Sequence, residues 1–484
     1  MKNKKSNKRK YYSRRKKLTI KQKYLGSQNS KITILENEHK TRLIFLPKRN
    51  ESRSASIFFY FKVGSKNEPE NLQGISHFIE HMVFKGSPKY PFHLDISKTF
   101  DANGISFNAF TSKEMTAYHF KFLSSSENMN LICSITHDMV FNPFMREKDI
   151  KPERNVIIQE MKDGEDDIDD WINDKLEQCL LQGHPLSNPI IGNLKTLYNI
   201  NRQELINYHN KYYQPHNLVI ALSGNIQPEY LHIINKFFNN STKISKTIKS
   251  KSSKFKEISL QTQGINQIIP YIDIQPNQTI QCFKKDLKQD YLFIIFKTRG
   301  RFDPLRNHYK LLANILGGNM SSRLFVKIRE QLGLVYSIKC SLTSYEEIGY
   351  FSIITQNENK TTIDCLKNIF LELDKFKAIK IGDAMFEKEV NENKKNWIDT
   401  YITYFDDIEY ENEYFAKQVI FNQPLESIQT RIDKIRIITT NDLLHTANEL
   451  FNYNKMHIIT FGKITESQIK STLSKTINNH KKTK

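Results

Sequence analysis

His77, Glu80 and His81 fall within the short run Ser76-His77-Phe78-Ile79-Glu80-His81-Met82. The two histidines are i and i+4, so on a helix their imidazoles share one face and can converge on a single metal ion. Glu80 is i+3 from His77 and shares that face, where a carboxylate can exchange protons beside a metal without binding it. Zinc suits such a set: it takes imidazole nitrogen, keeps one open position in catalytic sites and brings the pKa of a bound water toward about 7. A third protein ligand is then needed, and a carboxylate is the usual companion of two histidines from one helix. Residues 153–161, ERNVIIQEM, supply Glu153 and Glu160 seven apart, two helical turns on one face. One glutamate can ligate while the other steadies a ligand from behind. The competing reading is a surface helix whose histidines do nothing.

These residues need elements to hold them. Apolar periodicity predicts strands over 41–46 and 55–63, then a helix over 72–84 that Gly86 and Pro88 end. A helix over 94–102 stops at Asn103-Gly104, and alternation over 106–110 and 116–122 predicts two strands joined by a polar turn. Helices dominate 127–181, and a strand over 218–223 ends at Gly224. A second cycle follows: strand 291–297, helices 306–316 and 321–331, strands 335–343 and 350–356, helices 361–376, 384–418 and 440–451, and a closing strand 456–461 before Gly462. The repeated order predicts an α+β protein of two duplicated domains, each a mostly antiparallel sheet packed with helices. The expected divisions are a basic disordered tail (1–31), a first domain bearing the metal site (32–240), a linker (241–285), a homologous second domain (286–465) and a polar basic tail (466–484).

Composition narrows the functional classes. The formal charge is +20, but twelve Lys or Arg lie in the first 23 residues and no acid precedes Glu36, so more than half of the excess belongs to that tail. No aromatic-basic face or nucleic-acid module is evident, and no specific nucleic-acid partner is expected. No run of about 18 apolar residues would span a membrane. Five cysteines without CxxC spacing fit neither a disulfide framework nor a thiolate metal site, and favour a soluble protein of a reducing intracellular compartment. The tail lacks the apolar stretch of a secretory signal, and its lysine density makes it a poor mitochondrial presequence. Eight acids crowd residues 160–174, with Lys162 the only base among them, which is either a solvated face or an anionic subsite for Arg or Lys.

Residues 76–86, SHFIEHMVFKG, resemble the active-site helix of the pitrilysin-like zinc peptidases, the inverzincins, and most of all that of the mitochondrial processing peptidase β-subunit and related bacterial processing proteases. The likeness extends over roughly 32–465 through Gly64-Ser65, Asn108-Ala109-Phe110-Thr111-Ser112, Gly183-His184-Pro185-Leu186, Ile191-Gly192, 316–325 and 329–337. It implies one zinc per chain on His77, His81 and Glu160, with Glu80 as general base and Glu153 behind the ligands. It implies that Asn108, Ala109, Phe110 and Thr111 pair with substrate backbone, that Phe84 lines the subsite after the scissile bond, and that Asp170 and Asp174 read a basic residue near the cut. Arg329 and Tyr336 match a pair that contacts substrate near the zinc. The family's architecture implies half of a clamshell, closed by a second related subunit as a homodimer or heterodimer, acting on unfolded or presequence-like peptides. Two departures stand out: Glu160 lies 79 residues after His81, and Leu332-Gly333-Leu334-Val335-Tyr336 replaces the usual Arg-Gly-Leu-Ala-Tyr.

Overall fold

The computed structural model describes residues 32–47, 52–238, 256–257 and 277–482. The basic tail 1–31 and most of the expected linker lie outside these residues. The first half runs β1 (Thr33–Glu36), β2 (Arg42–Pro47), β3 (Ser54–Phe61), α1 (Ile75–Val83), α2 (His93–Ala102), β4 (Ser106–Thr111), β5 (Thr116–Leu123), α3 (Ser126–Phe141), α4 (Glu147–Asp166), α5 (Ile168–Leu180), α6 (Leu194–Asn199), α7 (Arg202–Tyr212), β6 (Leu218–Gly224) and α8 (Tyr230–Phe238). After the short β7 (Lys256–Glu257) come β8 (Thr279–Lys284), β9 (Asp290–Arg299), α9 (Arg306–Gly317), β10 (Ser337–Ser344), β11 (Ile348–Asn357), α10 (Thr362–Lys377), α11 (Ala384–Tyr404), α12 (Ile408–Ile420), α13 (Ile428–Arg436), α14 (Thr440–Leu450), β12 (Met456–Gly462) and α15 (Glu466–Lys482).

The two sheets have orders β4-β5-β3-β6-β2-β1-β7 and β10-β11-β9-β12-β8. They superimpose as a scheme: a hairpin at the edge, the long first strand, the closing strand, then the opening strand. In each, the closing strand pairs antiparallel with the long strand and parallel with the opening one. The duplicated α+β reading therefore holds at the level of connectivity.

Both sheets are covered on both faces, which explains near-continuous apolar strands such as SASIFFYF in β3. Ile57, Phe59 and Phe61 enter one core with α1, α3 and α8, while Phe58 and Tyr60 enter another. That second face is closed by helices of the other half, through Tyr401 of α11, Phe415 and Val419 of α12 and Ile432 of α13. The reverse also occurs. Leu292, Ile294 and Phe296 of β9 face α9, α10 and α14, but Phe293 and Ile295 face Ile172, Leu176 and Leu180 of α5. Trp171 stands edge-on to Phe461 of β12, with centroids 5.3 Å apart. Each half thus lends helices to the other's sheet.

The two hairpin turns also meet. Lys66 pairs with Glu114, Glu346 and Glu347, Arg301 donates to Glu114 at 2.6 Å, and Lys62 pairs with Glu346 at 2.8 Å. Gly64 sits where a Cβ would lie 2.2 Å from the Ser112 carbonyl oxygen, so only glycine lets the chain after β3 close on the β4–β5 turn.

Four expectations need correction. The linker cannot extend to 285, because β8 is a strand of the second sheet and β7 pairs with β1. Residues 466–482 are helical rather than a polar tail, because Ile469 and Leu473, one turn apart, insert into the second core. The helix expected over 384–418 breaks at Phe405–Asp407, where the Asp407 carboxylate caps α12 by accepting from Glu409 N at 2.8 Å. Residues Phe325–Gln331 wind as a π-helix.

Candidate active site

Helix α1 carries Ile75, Phe78, Ile79, Met82 and Val83 on its buried face, the i, i+3, i+4, i+7, i+8 pattern of a helix laid on a core. That leaves His77, Glu80 and His81 on the side facing β4 and α4. The N-terminus is fixed by Glu68, whose two carboxylate oxygens accept from Gly74 N at 2.7 Å and Ser76 N at 2.8 Å. Gly74 has φ +93°, and a Cβ there would meet the Ile191 carbonyl oxygen at 2.5 Å, so the 191–192 loop clamps the helix start.

His77, His81 and Glu160 bring one ligating atom each within 4.8 Å of the others, the only such group of three among the described residues. The Nε2 atoms of His77 and His81 are 3.2 Å apart; the Glu160 Oε2 is 3.5 Å from His81 Nε2 and 3.9 Å from His77 Nε2. Donors about 2.0–2.1 Å from a tetrahedral ion stand roughly 3.3 Å apart, so two nitrogens already have the spacing of zinc ligands and the carboxylate is within a small side-chain shift of it. Burial, with the neighbouring His81, pulls the His77 imidazole down to about 4, which keeps it neutral as a ligand must be. His81 Nδ1–H donates to Glu153 Oε1 at 2.8 Å, which aims Nε2 at the site. Burial would lower His81 as well, but Glu153, Glu160 and Glu80 outweigh it and raise it. Burial pushes Glu153 up, yet its bonds to His81 and Lys85 hold it below the ordinary carboxylate range.

Glu80 is not among the converging donors. Its Oε2 accepts from Thr111 Oγ1 at 2.7 Å. Burial raises Glu80 above the ordinary carboxylate range and Glu160 adds to this, against the Thr111 bond and the His81 charge. Thr111 closes β4, the outermost strand of the first sheet, whose only partner among the described residues is β5. Asn108 is exposed there, Ala109 and Phe110 are partly buried, and the free edge can accept an extended chain. Phe84 packs in the core margin with ring centroids 6.0 Å from both Phe107 and Tyr118.

The remaining candidates are not among the converging donors. Asp170 is exposed on the first turn of α5. Asp174, one turn on, is partly buried and lines a cavity of about 450 Å³ between the halves, with Ser112, Glu177 and Tyr345. Arg329 lies on the π-helix Phe325–Gln331 and Tyr336 in the turn just before β10, where Arg329 Nε donates to the Tyr336 carbonyl oxygen at 3.0 Å and the Tyr336 side chain is largely exposed. Neither forms a hydrogen bond or ion pair with His77, Glu80, His81 or Glu160 among the described residues.

Residues 43–194 match the family description "Insulinase (Peptidase family M16)", and residues 199–393 match "Peptidase M16 inactive domain". A protein named as an uncharacterized zinc protease from Rickettsia felis is 30% identical over 403 residues, covering 82% of this chain and 90% of that one. The chain belongs to peptidase family M16. The Bacillus subtilis uncharacterized zinc protease YmxG is 34% identical over 301 residues, 62% of this M16 chain and 68% of the relative. A solved protease from Helicobacter pylori shares the fold at TM-score 0.77 and 20% identity, covering 90% of this chain and 99% of that one. The periplasmic protease PqqL from Escherichia coli aligns at TM-score 0.75 and 16% identity over 94% of this chain but only 51% of its own. The M16 chain is therefore a zinc protease by family, built as two homologous α+β halves. All five cysteines are free thiols, and among the described residues no helix is long and apolar enough to cross a membrane.

Sequence reasoning missed three contributors to the site of this M16 chain. Thr111 was assigned to substrate backbone, while its hydroxyl holds Glu80. Lys85 pairs with Glu153 one turn beyond His81, a spacing that a search for ion pairs around the helix would have found. Glu68 has no local signal, since it reaches α1 from a preceding irregular loop.

Proposed function

We propose that this M16 chain is a zinc-dependent endopeptidase that cleaves unfolded or presequence-like peptides near basic residues, with Glu80 as general base. The observation that carries the reading is the convergence of His77 Nε2, His81 Nε2 and Glu160 Oε2 beside a carboxylate that stays outside the donor set. These three residues would hold one zinc ion per chain. When bound, zinc supplies Lewis-acid chemistry that polarises water and lowers its pKa toward about 7. Glu80 Oε2 is engaged by Thr111, which leaves Oε1 to take the proton of the attacking water and return it to the leaving amine. Residues 108–111 add the substrate as a strand, giving affinity through backbone bonds with little demand on sequence. Asp170 and Asp174 supply negative charge for a basic side chain near the cut, and Phe84 borders the subsite after it.

Among the described residues Arg329 and Tyr336 make no hydrogen bond or ion pair with His77, Glu80, His81 or Glu160, and PqqL is about twice the length that this chain matches. Both features support a dimer, with a second copy or a related subunit bringing its Arg/Tyr element to the substrate. The test is zinc content together with cleavage of a quenched Arg-containing peptide by wild type and Glu80→Gln. One zinc in both proteins, with cleavage lost only in Glu80→Gln, is the expected result. A zinc-free wild type, or a Glu80→Gln protein that still cuts, overturns the reading.

A further inference from the structure

The turn between β4 and β5 belongs to the first half, but the second half holds it. Residues 112–115 follow directly on Thr111, whose hydroxyl binds Glu80. Glu114 is only 5% exposed, and both of its carboxylate oxygens are bonded across the seam between the halves. Oε2 accepts from Arg301 Nη2 at 2.6 Å, and Oε1 accepts from Glu346 N at 2.8 Å. The residues on either side of Glu114 are tied the same way. Met115 enters the core that α11, α12 and α13 close. Lys113 pairs with Glu177 at 3.1 Å, and Glu177 accepts from the hydroxyls of Tyr345 and Tyr350. Three consecutive residues of the turn thus reach the second half, directly or through one side chain.

The clasp is reciprocal. Lys62 and Lys66, which follow β3, pair with Glu346 and Glu347 on the β10–β11 turn, as Arg301, which follows β9, pairs with Glu114 on the β4–β5 turn. Arg301 is itself fixed: its backbone N donates to the Tyr345 carbonyl oxygen at 2.6 Å, and its guanidinium carbon lies 3.7 Å from the centroid of the Phe421 ring. A charge-assisted pair this buried loses most when one partner is removed, because the other stays out of water. The turn is also tight. Ser112 N donates to the Met115 carbonyl oxygen at 2.8 Å, and Thr111 pairs with Thr116 across it, so a shift at Glu114 is passed to the residue that closes β4. Proton transfer tolerates little displacement of the carboxylate that performs it.

We propose that Arg301, from the half that matches an "inactive domain", is a positioning residue for the active one: through Glu114 and the β4–β5 turn it holds Thr111, and so Glu80, in place. This role rests on Glu80 acting as the general base.

The test combines a double-mutant cycle with amide exchange on the full chain. Arg301→Gln should lower kcat on the quenched peptide roughly 3- to 10-fold, with KM within about twofold and zinc content unchanged. The loss is smaller than deleting the Thr111 hydroxyl would cause, because the bond to Glu80 is loosened and not removed. In a Thr111→Val background the same substitution should cost nothing further, since the link it acts through is already gone. Amide exchange of residues 111–116 should quicken in Arg301→Gln while the amides of α1 keep their wild-type protection. Glu114→Gln, close in shape and still able to accept from Glu346 N, takes the place of Arg301→Gln in both measurements if that variant fails to fold. An unchanged kcat, a loss confined to KM, an equal loss of kcat in both backgrounds, or unchanged exchange of the turn overturns the proposal. A wild type that cuts no peptide refutes the endopeptidase reading instead, and the exchange measurement then decides alone whether Arg301 holds the turn.

Discussion

Replacing Thr111 by Val isolates the positioning of Glu80, the proposed general base, from everything else in the site. The substitution keeps side-chain shape and suits a strand, so β4 and its pairing with β5 should persist. What disappears is the 2.7 Å bond to Glu80 Oε2. A hydrogen bond to a charged group contributes about 1.5–3 kcal/mol. If that is the cost of a carboxylate no longer held for proton transfer, kcat should fall roughly 10- to 150-fold. KM should move little, because the backbone of β4, the proposed substrate edge, is untouched, and zinc content should stay at wild-type level. Initial rates on a quenched peptide across a range of concentrations, with metal analysis of the same samples, give all three quantities. Thr111→Ser, which restores the hydroxyl, should recover most of kcat. A kcat within twofold of wild type in Thr111→Val, or a loss confined to KM, refutes the positioning role.

The other predictions concern the support of the zinc helix. Glu153→Gln keeps the shape behind His81 but removes the charge that orients its Nδ1–H, and should weaken zinc binding by roughly 10- to 100-fold in a chelator competition, with the secondary structure unchanged by circular dichroism. Glu68, pushed up to about 8 by burial despite two backbone N–H bonds, keeps its proton in the folded chain over a range where the unfolded chain has lost it. A raised folded pKa means that its stabilising contribution is complete below the unfolded value near 4.5 and declines as pH rises toward 8. Urea unfolding between these limits should therefore show a shallower pH slope in Glu68→Gln than in wild type, and a steeper slope would mean that the helix N-terminus, not burial, sets the protonation of this carboxyl.

How much of this was legible in the sequence depended on the range of the interaction. The α1 face, with two histidines and a glutamate opposite five apolar residues, follows from helical periodicity, as does the pairing of Glu153 with Glu160 across two turns of α4. The duplicated order of strands was readable for the same reason. The Thr111–Glu80 bond was not, because it joins residues 31 apart through packing of α1 on β4, which no local pattern encodes. The break between α11 and α12 was missed although Asp406-Asp407 offered a cap, since apolar periodicity continues across it. The final helix was masked by a polar composition in which two residues, Ile469 and Leu473, decide the outcome. The cover of each sheet's second face was beyond reach: the strands announce that both faces are buried, but not which helices bury them.

That cover has a consequence during synthesis. Six of the seven strands of the first sheet are present once β6 has left the ribosome, with only the two-residue edge strand β7 to come, but the helices that close its second face end at Arg436. At about 5–20 residues per second, the interval from Gly224 to that point lasts roughly 10 to 40 seconds. Throughout it Ile44, Phe58, Tyr60 and Val219 would lack the helices that bury them, on a sheet whose β4 edge has no further partner among the described residues. The nascent first half carries His77, His81 and Glu160 before it has its second wall, so chaperones that shield sheet surfaces would meet this chain at a defined stage, before α11 to α13 arrive to take their place.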